Sequence, residues 1–333
     1  MRRGIQVWDV SVCSCWDAAC LAHCGDDNAS GGTMKQPAIA VLGAGAIGAV
    51  AAEALSRVYG DHVYALADRE RSSRYAQAGG IVINGSNAQF RFAAPDEAEP
   101  ADLVIVAVKG YDLKRSLDLL EPLVMPHTQI LSLLNGITSE AIIADHFGRK
   151  DIPLALTVGQ DAVRRGYEIT YTRKGMVLLG EHATPSLSPR TKQIRDLLVN
   201  GGIACEIPED MLHELWWKFM VNLGVNQVSA VLKAPYGAFQ QEGKARTLML
   251  EAMEEVRMAA LCEGVILSES DLQRWLSLLE TLSPQGETSM LQDVLAGRPT
   301  EVELFSGTLL RLSETHRLDL PVNRKLYELL TGR

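Results

Sequence analysis

A glycine-rich segment constrains the fold of this chain more than any other feature of its sequence. The motif Gly-x-Gly-x-x-Gly stands between an apolar run, 38–42, and a helical pattern, 49–58. In such a motif the first glycine permits a tight turn, the second lets the backbone approach a pyrophosphate, and the third lets the helix pack closely on the strand. The segment therefore predicts a strand, turn and helix that bind a dinucleotide through Gly43, Ala44, Gly45, Ala46, Ile47 and Gly48.

Charged residues follow the second apolar run. Asp68 lies 20 positions after Gly48, where a carboxylate accepts the ribose hydroxyls of NAD and repels a 2′-phosphate. Arg69, with Arg71 and Arg74 behind it, argues for NADP, because a guanidinium can hold that phosphate in a bidentate contact. The same arginines equally fit a solvated helix face, so these residues leave NAD and NADP open.

Strand and helix patterns alternate from residue 38 to residue 207. Apolar runs at 38–42, 62–67, 101–108 and 130–134 are typical of buried parallel strands, and 81–92 predicts a hairpin that turns at Asn84-Gly85. This alternation predicts an α/β fold with an N-terminal Rossmann-type, doubly wound parallel sheet. After Pro208 long helical patterns predominate, at 212–232, 247–263, 269–279 and 301–316. We therefore expect a dinucleotide-binding domain over 34–207 and a second, all-α C-terminal domain over 208–333, for substrate binding and dimerisation.

The first 33 residues differ from the rest. They contain four of the six cysteines, and they contain His23, so a zinc or redox site is one interpretation. The spacing C-x-C-x4-C-x3-C matches no common zinc framework, and the segment lacks the continuous apolar core of a signal peptide. We favour a disordered leader, or an extension upstream of a start at Met34, and we expect no metal site. The cysteines are Cys13, Cys15, Cys20 and Cys24.

Composition restricts the partners. A net charge of −9 and a pI near 5.4 imply no basic face, so nucleic acid is an unexpected partner. No uncharged apolar run reaches the roughly 18 residues that a membrane-spanning helix needs. Six cysteines in 333 residues do not make a disulfide scaffold, which fits a cytoplasmic protein. The apolar helices are compatible with a homodimer, although no interface can be identified in the sequence.

A polar stripe crosses one of the C-terminal helical patterns. Lys218, Asn222 and Asn226 recur at i, i+4 and i+8 in a segment that is otherwise apolar on all sides. Burying these groups is costly unless they have partners, and a polar ligand in a cleft would provide them. Desolvation would also lower the pKa of the lysine toward neutrality, which suits proton transfer. The alternative is a solvated edge, with the amine of Lys218 reaching water.

Several motifs in the same order resemble the 2-dehydropantoate 2-reductase (ketopantoate reductase) family, from about Ile39 to Leu330. Beyond the glycine motif they are Val106-Ala107-Val108-Lys109, Leu134-Asn135-Gly136, Trp217-Lys218-Phe219-Met220-Val221-Asn222 with Asn226, Ser289-Met290-Leu291-Gln292-Asp293, Thr300-Glu301-Val302-Glu303 and Leu320-Pro321-Val322-Asn323. The resemblance implies reduction of a small 2-keto acid, in pantothenate biosynthesis, with NADP as cofactor and NAD not excluded.

The resemblance also implies roles. Lys218 matches the family's general acid, and Glu301 matches an acid near the nicotinamide ribose and the substrate hydroxyl. Lys109 and, by a less certain alignment, Ala162 match cofactor-side positions. The substrate-binding positions correspond to Asn135, Lys218, Asn222, Asn226 and Ser289, and the first of them also contacts the cofactor.

Structural interpretations of the same residues stay open. Ser289 with Gln292 fits a capping box, and Glu301 fits an acid in the first turn of a helix. Asn135-Gly136 fits a plain turn, and Lys109 fits a solvated strand end.

Two rival functions also remain. Tyr236 stands where some family members have another substrate-binding asparagine, which indicates a different 2-keto or 2-hydroxy acid. A dinucleotide-binding sensor without catalysis is the other alternative.

Overall fold

The computed structural model describes residues 36–182 and 187–332, and the predicted leader therefore lies outside the described residues. The strands are β1 Ile39–Leu42, β2 Val63–Leu66, β3 Val82–Ile83, β4 Ser86–Asn87, β5 Arg91–Ala93, β6 Leu103–Val106, β7 Gln129–Ser132, β8 Leu154–Val158, β9 Val163–Arg165, β10 Glu168–Thr170, β11 Met176–Gly180 and β12 Cys205–Glu206. The helices are α1 Ala46–Tyr59, α2 Arg69–Gln77, α3 Leu113–Leu117, α4 Ser139–Phe147, α5 Pro189–Asn200, α6 Met211–Val221, α7 Gln227–Leu232, α8 Gly237–Gln240, α9 Lys244–Cys262, α10 Glu269–Thr281, α11 Ser289–Leu295, α12 Thr308–His316 and α13 Pro321–Thr331.

The central sheet has the strand order β5-β2-β1-β6-β7, and all its pairs are parallel. Its four-residue strands are buried along their whole length, because helices cover both faces of a doubly wound sheet. The chain reverses its winding between β1 and β6, and ligands of such sheets bind in the crevice outside the carboxyl ends of the strands at this point. The predicted fold class is confirmed.

Two smaller sheets flank the central one, with orders β4-β3-β10-β9 and β12-β11-β8. The predicted turn at Asn84-Gly85 is confirmed, since both residues have positive φ, as a two-residue hairpin turn requires. The prediction of one hairpin over 81–92 is only partly right. The chain leaves the hairpin after β4, and β5 joins the central sheet in parallel with β2 instead.

The chain from α6 onward is helical. Its core contains Trp216, Phe219, Phe239 and Phe305, and it belongs with the sheets to one compact unit, Pro37–Arg333. The boundary predicted near residue 207 stays a prediction. Among the described helices, none is both long and apolar enough to cross a membrane.

Two of the predicted helices are interrupted. Residues 212–232 were expected to form one α-helix, but the turn Asn222–Asn226 is π-helical. A second π-helical turn, Glu303–Gly307, precedes α12. The extra residue in a π turn shifts the side chains that follow around the axis, and periodicity alone does not reveal such a shift. π turns are frequent at functional sites.

Candidate active site

The glycine motif forms the turn between β1 and α1. Gly43 has a φ of 104°, and a Cβ on Gly48 would lie 1.9 Å from the carbonyl oxygen of Gly43. Both positions therefore require glycine for the turn and for helix packing. A Cβ on Gly45 would meet only the carbonyl oxygen of Ala107, at 3.9 Å, so the front of the turn is open.

The N-terminus of α1 suits an anion. Among the described residues no side chain caps the helix, and its first turn contains no acidic residue. Free N–H groups and the helix dipole at this end favour a phosphate. Together with the open face at Gly45, this arrangement fits the pyrophosphate of a dinucleotide.

Asp68 and Arg69 lie between β2 and α2, at the carboxyl edge of the central sheet. The carboxylate of Asp68 accepts a hydrogen bond from the backbone N–H of Arg71 at 2.7 Å, and it lies 3.5 Å from the Arg71 guanidinium. Arg69 is exposed and forms ion pairs with Asp96 at 2.6 Å and Glu97 at 3.1 Å. Exposed ion pairs exchange for other partners at little cost. The geometry therefore suits ribose binding at this edge without deciding between the two cofactors.

Lys218 lies on the last turn of α6, and its amine points inward. The Nζ donates a 2.7 Å hydrogen bond to the carbonyl oxygen of Thr157 on β8. Burial lowers the pKa of Lys218 from 10.5 to about 8, and the carboxylate of Glu301 opposes this shift. The alternative of a solvated edge is wrong for this residue. An amine with a pKa near 8 is a competent proton donor at neutral pH.

Glu301 joins the helical part to the loop after β6. Its carboxylate is buried, accepts from the backbone N–H of Gly110 at 3.2 Å, and lies 3.4 Å from the Nζ of Lys109. Lys109 also pairs with the buried Asp293 at 3.1 Å, which a 2.8 Å contact connects to Arg298. Burial alone would lower the pKa of Lys109, but Glu301 and Asp293 outweigh it, so the pKa is raised and the amine stays charged.

These contacts decide two of the structural alternatives. Glu301 precedes the π turn and uses its side chain across the cleft, so it is more than an acid placed beside a helix dipole. Lys109 is only partly exposed and bridges two carboxylates, so it is more than a solvated strand end.

The amides of the predicted stripe stay adjacent through the π turn. Asn226 donates from Nδ2 to Oδ1 of Asn222 at 3.2 Å. The Nδ2 of Asn222 is buried and has no acceptor in the described part of the chain. A buried amide without a partner is uncommon and costly. A ligand carboxylate would provide the missing acceptor.

Ser289 is exposed in the first turn of α11. The predicted capping box with Gln292 is wrong, because the N-cap is Thr288, whose hydroxyl accepts from the backbone N–H of Leu291 at 3.1 Å. The same hydroxyl donates to Ser229 at 3.2 Å and so ties this end of α11 to α7. With Thr288 as the N-cap, the helix begins one residue earlier than a cap at Ser289 would place it. The hydroxyl of Ser289 is therefore available.

The turn Asn135-Gly136 follows β7 and packs against the helical part. Gly136 has a φ of 89°, and a Cβ there would lie 2.9 Å from Leu304. A Cβ on Gly110 would meet the same side chain at 3.0 Å. The turn is therefore a tertiary contact and not a plain surface turn, and it holds Asn135 beside the π turn that follows Glu301.

The structure thus brings Lys109, Lys218 and Glu301 together, and it places Asn222 and Asn226 on one turn. Ala162 precedes β9 and packs against the core of the central sheet. The sequence reasoning missed the carbonyl of Thr157, because a backbone acceptor has no signature in sequence. It also gave no role to Asp293, which it named only as part of a motif.

Comparisons with known proteins match most of the length of this chain. The family model described as ketopantoate reductase PanE/ApbA matches residues 39–184, and the model of its C-terminal part matches residues 210–333. The 2-dehydropantoate 2-reductase of Pyrococcus horikoshii is 26% identical over 299 residues, which is 89% of this chain and 97% of that protein.

Solved structures show the same fold. A 2-dehydropantoate 2-reductase from Geobacter metallireducens superposes with a TM-score of 0.78 at 28% identity, covering 88% of this chain and 99% of that one. A D-mandelate dehydrogenase, solved with NADH and anilino(oxo)acetate, has a TM-score of 0.79 at 22% identity, covering 88% and 97%. With both family models matched in order along one chain, this protein belongs to the ketopantoate reductase family.

Proposed function

We propose that this chain is an NAD(P)-dependent oxidoreductase that reduces 2-dehydropantoate to pantoate. The observation that carries the proposal is the amine of Lys218, held against Thr157 with its pKa lowered and with Glu301 close enough to act on it. Family membership and the named relatives support the same reaction. A sensor without catalysis would have no use for a buried, ionisable amine between the glycine loop's sheet and the helical part.

Each residue then has a role in the reaction. When bound, the dinucleotide supplies the hydride for the C2 carbonyl carbon of the substrate. Lys218 donates the proton to the carbonyl oxygen, and its ammonium stabilises the negative charge that develops there. Glu301 orients the substrate hydroxyl and the nicotinamide ribose. Asn222 meets the substrate carboxylate with its unpaired amide.

The remaining predicted residues complete the site. Asn226 orients Asn222, and Ser289 donates its hydroxyl to the substrate carboxylate. Asn135 contacts both substrate and cofactor, and Lys109 and Ala162 lie on the cofactor side. Asp68 and Arg69 border the adenosine ribose.

We propose NADPH as the preferred cofactor. The charge of Asp68 is partly compensated by Arg71, and Arg69 can leave its exposed pairs with Asp96 and Glu97 for a 2′-phosphate. NADH is the alternative, since a carboxylate stays at this corner. The variant Arg69→Ala tests this choice. It is expected to weaken the binding of NADPH and to leave the binding of NADH unchanged, whereas equal effects on both cofactors would contradict the preference.

A different 2-keto acid is the second candidate substrate. Tyr236 packs its ring against Gly286, where a Cβ would lie 3.0 Å from it, and its backbone N–H bonds to the carbonyl of Gly286. Gly286 is three residues from Ser289, so this bulky side chain lies beside the predicted substrate position. A tyrosine ring at the position of the family's asparagine favours a substrate of another shape.

A steady-state assay tests these proposals together. The purified protein is mixed with NADPH or NADH and with ketopantoate or a panel of other 2-keto acids, and cofactor oxidation is followed. Fast oxidation with ketopantoate supports the first function, and a clear preference for another keto acid supports the second. Dinucleotide binding without oxidation by any keto acid would contradict both.

Further parts of the proposal concern assembly and location. We propose a homodimer, which the mass of the protein in solution tests. We also propose a cytoplasmic location, since a reducing compartment suits the free thiols of Cys205 and Cys262.

A further inference from the structure

A basic side chain from outside the glycine motif reaches into it. Arg164, on β9, donates from Nη1 to the carbonyl oxygen of Ala44. Its Nε donates to the carbonyl of Gly166 at 2.8 Å, and its Nη2 donates to the hydroxyl of Tyr75 at 3.3 Å. The guanidinium therefore stands at the turn between β1 and α1.

The position of this guanidinium is held from two sides. Its central carbon lies 5.7 Å from the centroid of the Tyr75 ring, and that ring stacks on Phe92 at 4.2 Å. A planar cation held over an aromatic ring keeps little freedom. Arg164 is thus placed beside the glycine loop before any ligand arrives.

No carboxylate in the described part of the chain neutralises the charge of Arg164. Its described partners are two carbonyl oxygens and a phenol, and no carboxylate of the described residues lies within 4.0 Å. Most other arginines near the sheet have such a partner, including Arg69 with Asp96. A partly buried cation in an acidic protein, next to an uncapped helix N-terminus, favours an anionic ligand.

We propose that Arg164 is a cofactor-binding residue that donates to the pyrophosphate of the dinucleotide at the glycine loop. The inference rests on the proposed function, because it takes the bound ligand to be a dinucleotide. Ala162, predicted at the nicotinamide end, lies two residues earlier, a distance of about 6–7 Å along an extended chain. The β9 segment thereby contacts the cofactor at two points.

Binding of the cofactor alone tests this role. Isothermal titration with NADPH and with NADH gives the Kd for the unaltered protein, Arg164→Gln, Arg164→Lys and the matched control Arg165→Gln. Arg165 is the exposed neighbour on the opposite face of β9. Glutamine places its amide where the arginine has Nε, so it can still donate to the carbonyl of Gly166, but it has no charge and is too short to replace Nη1 at Ala44. Recovery in Arg164→Lys and the salt dependence of the Kd therefore separate the role of the charge from support of the loop.

The expected pattern is specific. Arg164→Gln raises the Kd for both cofactors at least about tenfold, as loss of a charge-assisted hydrogen bond should. Arg164→Lys recovers part of the loss, and Arg165→Gln stays within about twofold, as a surface change away from the site should. The salt dependence of the Kd is weaker in Arg164→Gln than in the unaltered protein.

Two results would overturn the inference. An unchanged Kd in Arg164→Gln would show that Arg164 only supports the loop. Weaker binding of NADPH with unchanged binding of NADH would mean that the charge of Arg164 acts on the 2′-phosphate rather than on the pyrophosphate. The thermal unfolding midpoint checks that each variant is folded, and Arg164→Lys carries the test if the glutamine variant is not. Failure of the unaltered protein to bind either dinucleotide would instead contradict the proposed function.

Discussion

The pH dependence of the reaction should report the pKa of Lys218. Burial lowers this pKa from 10.5 to about 8, which corresponds to about 3 kcal/mol of lost stabilisation of the ammonium, at about 1.4 kcal/mol per pH unit. The reduction needs the protonated amine, so activity is present below the pKa and lost above it. With a pKa of about 8, about nine-tenths of the enzyme is active at pH 7 and about one-tenth at pH 9.

The assay is kcat/KM for keto-acid reduction between pH 6 and pH 10, since this ratio reports groups of the free enzyme. We expect a plateau that falls about tenfold per pH unit above pH 8. Glu301→Gln removes the carboxylate that opposes the shift, and it should move the inflection to lower pH as well as reduce the rate. Asp293→Asn is the control, because Asp293 pairs with Lys109 rather than with Lys218, and it should leave the inflection in place.

Two outcomes would refute this reasoning. A rate that stays level up to pH 10, as the ordinary lysine pKa of 10.5 would give, would mean that the amine is hydrated in the working enzyme. An inflection that Glu301→Gln does not move would mean that the two groups do not interact. Lys218→Ala should lower turnover about a hundredfold or more, as loss of a general acid does, and an unchanged rate would remove Lys218 from the mechanism.

Three further predictions concern binding and stability. Gly45→Ala should keep the thermal unfolding midpoint but weaken dinucleotide binding in a titration. Gly48→Ala should lower the midpoint, because its Cβ would lie 1.9 Å from a carbonyl oxygen. A Gly48→Ala variant with an unchanged midpoint would contradict this. The buried Glu140 has its pKa raised by burial from 4.5 to about 7, so its contribution to stability is lost as pH rises through 7. Glu140→Gln should therefore stabilise the protein at pH 8.5 by about 3 kcal/mol in urea unfolding, with little effect near pH 4.5, and equal effects at both pH values would argue against it. Glu255 accepts the first backbone N–H groups of α13 at 2.7 and 2.8 Å, and Glu255→Ala should cost about 3 kcal/mol in the same measurement, so a neutral result would show that α13 docks without it.

Much of the fold was predictable because its determinants are local. The glycine motif, the apolar runs and the change to helical patterns after Pro208 each report a periodicity or a steric requirement within a few residues. The hairpin turn at Asn84-Gly85 is predictable for the same reason, since its residues tolerate positive φ. The pairing of the next strand could not be predicted, because the position of β5 beside β2 depends on the whole sheet.

The candidate site divides in the same way. The stripe of Lys218, Asn222 and Asn226 follows from helical spacing, and the sequence alone determined that a buried amine needs a partner. The π turn beneath this stripe has no periodic signature. The N-cap at Thr288 was also not predicted, because its hydroxyl bonds to Ser229 across the fold and sequence spacing does not show such a contact.

Only the tertiary structure decided which distant groups meet. The amine of Lys218 donates to the carbonyl of Thr157. The carboxylate of Glu301 contacts both Lys109 and Gly110. The guanidinium of Arg164 donates to the glycine loop from a hairpin 120 residues away. These contacts set the pKa of Lys218 and the charge around the cofactor turn. Their physical origin is burial and Coulomb interaction between segments far apart in the chain, which depend on the folded distance and not on sequence spacing.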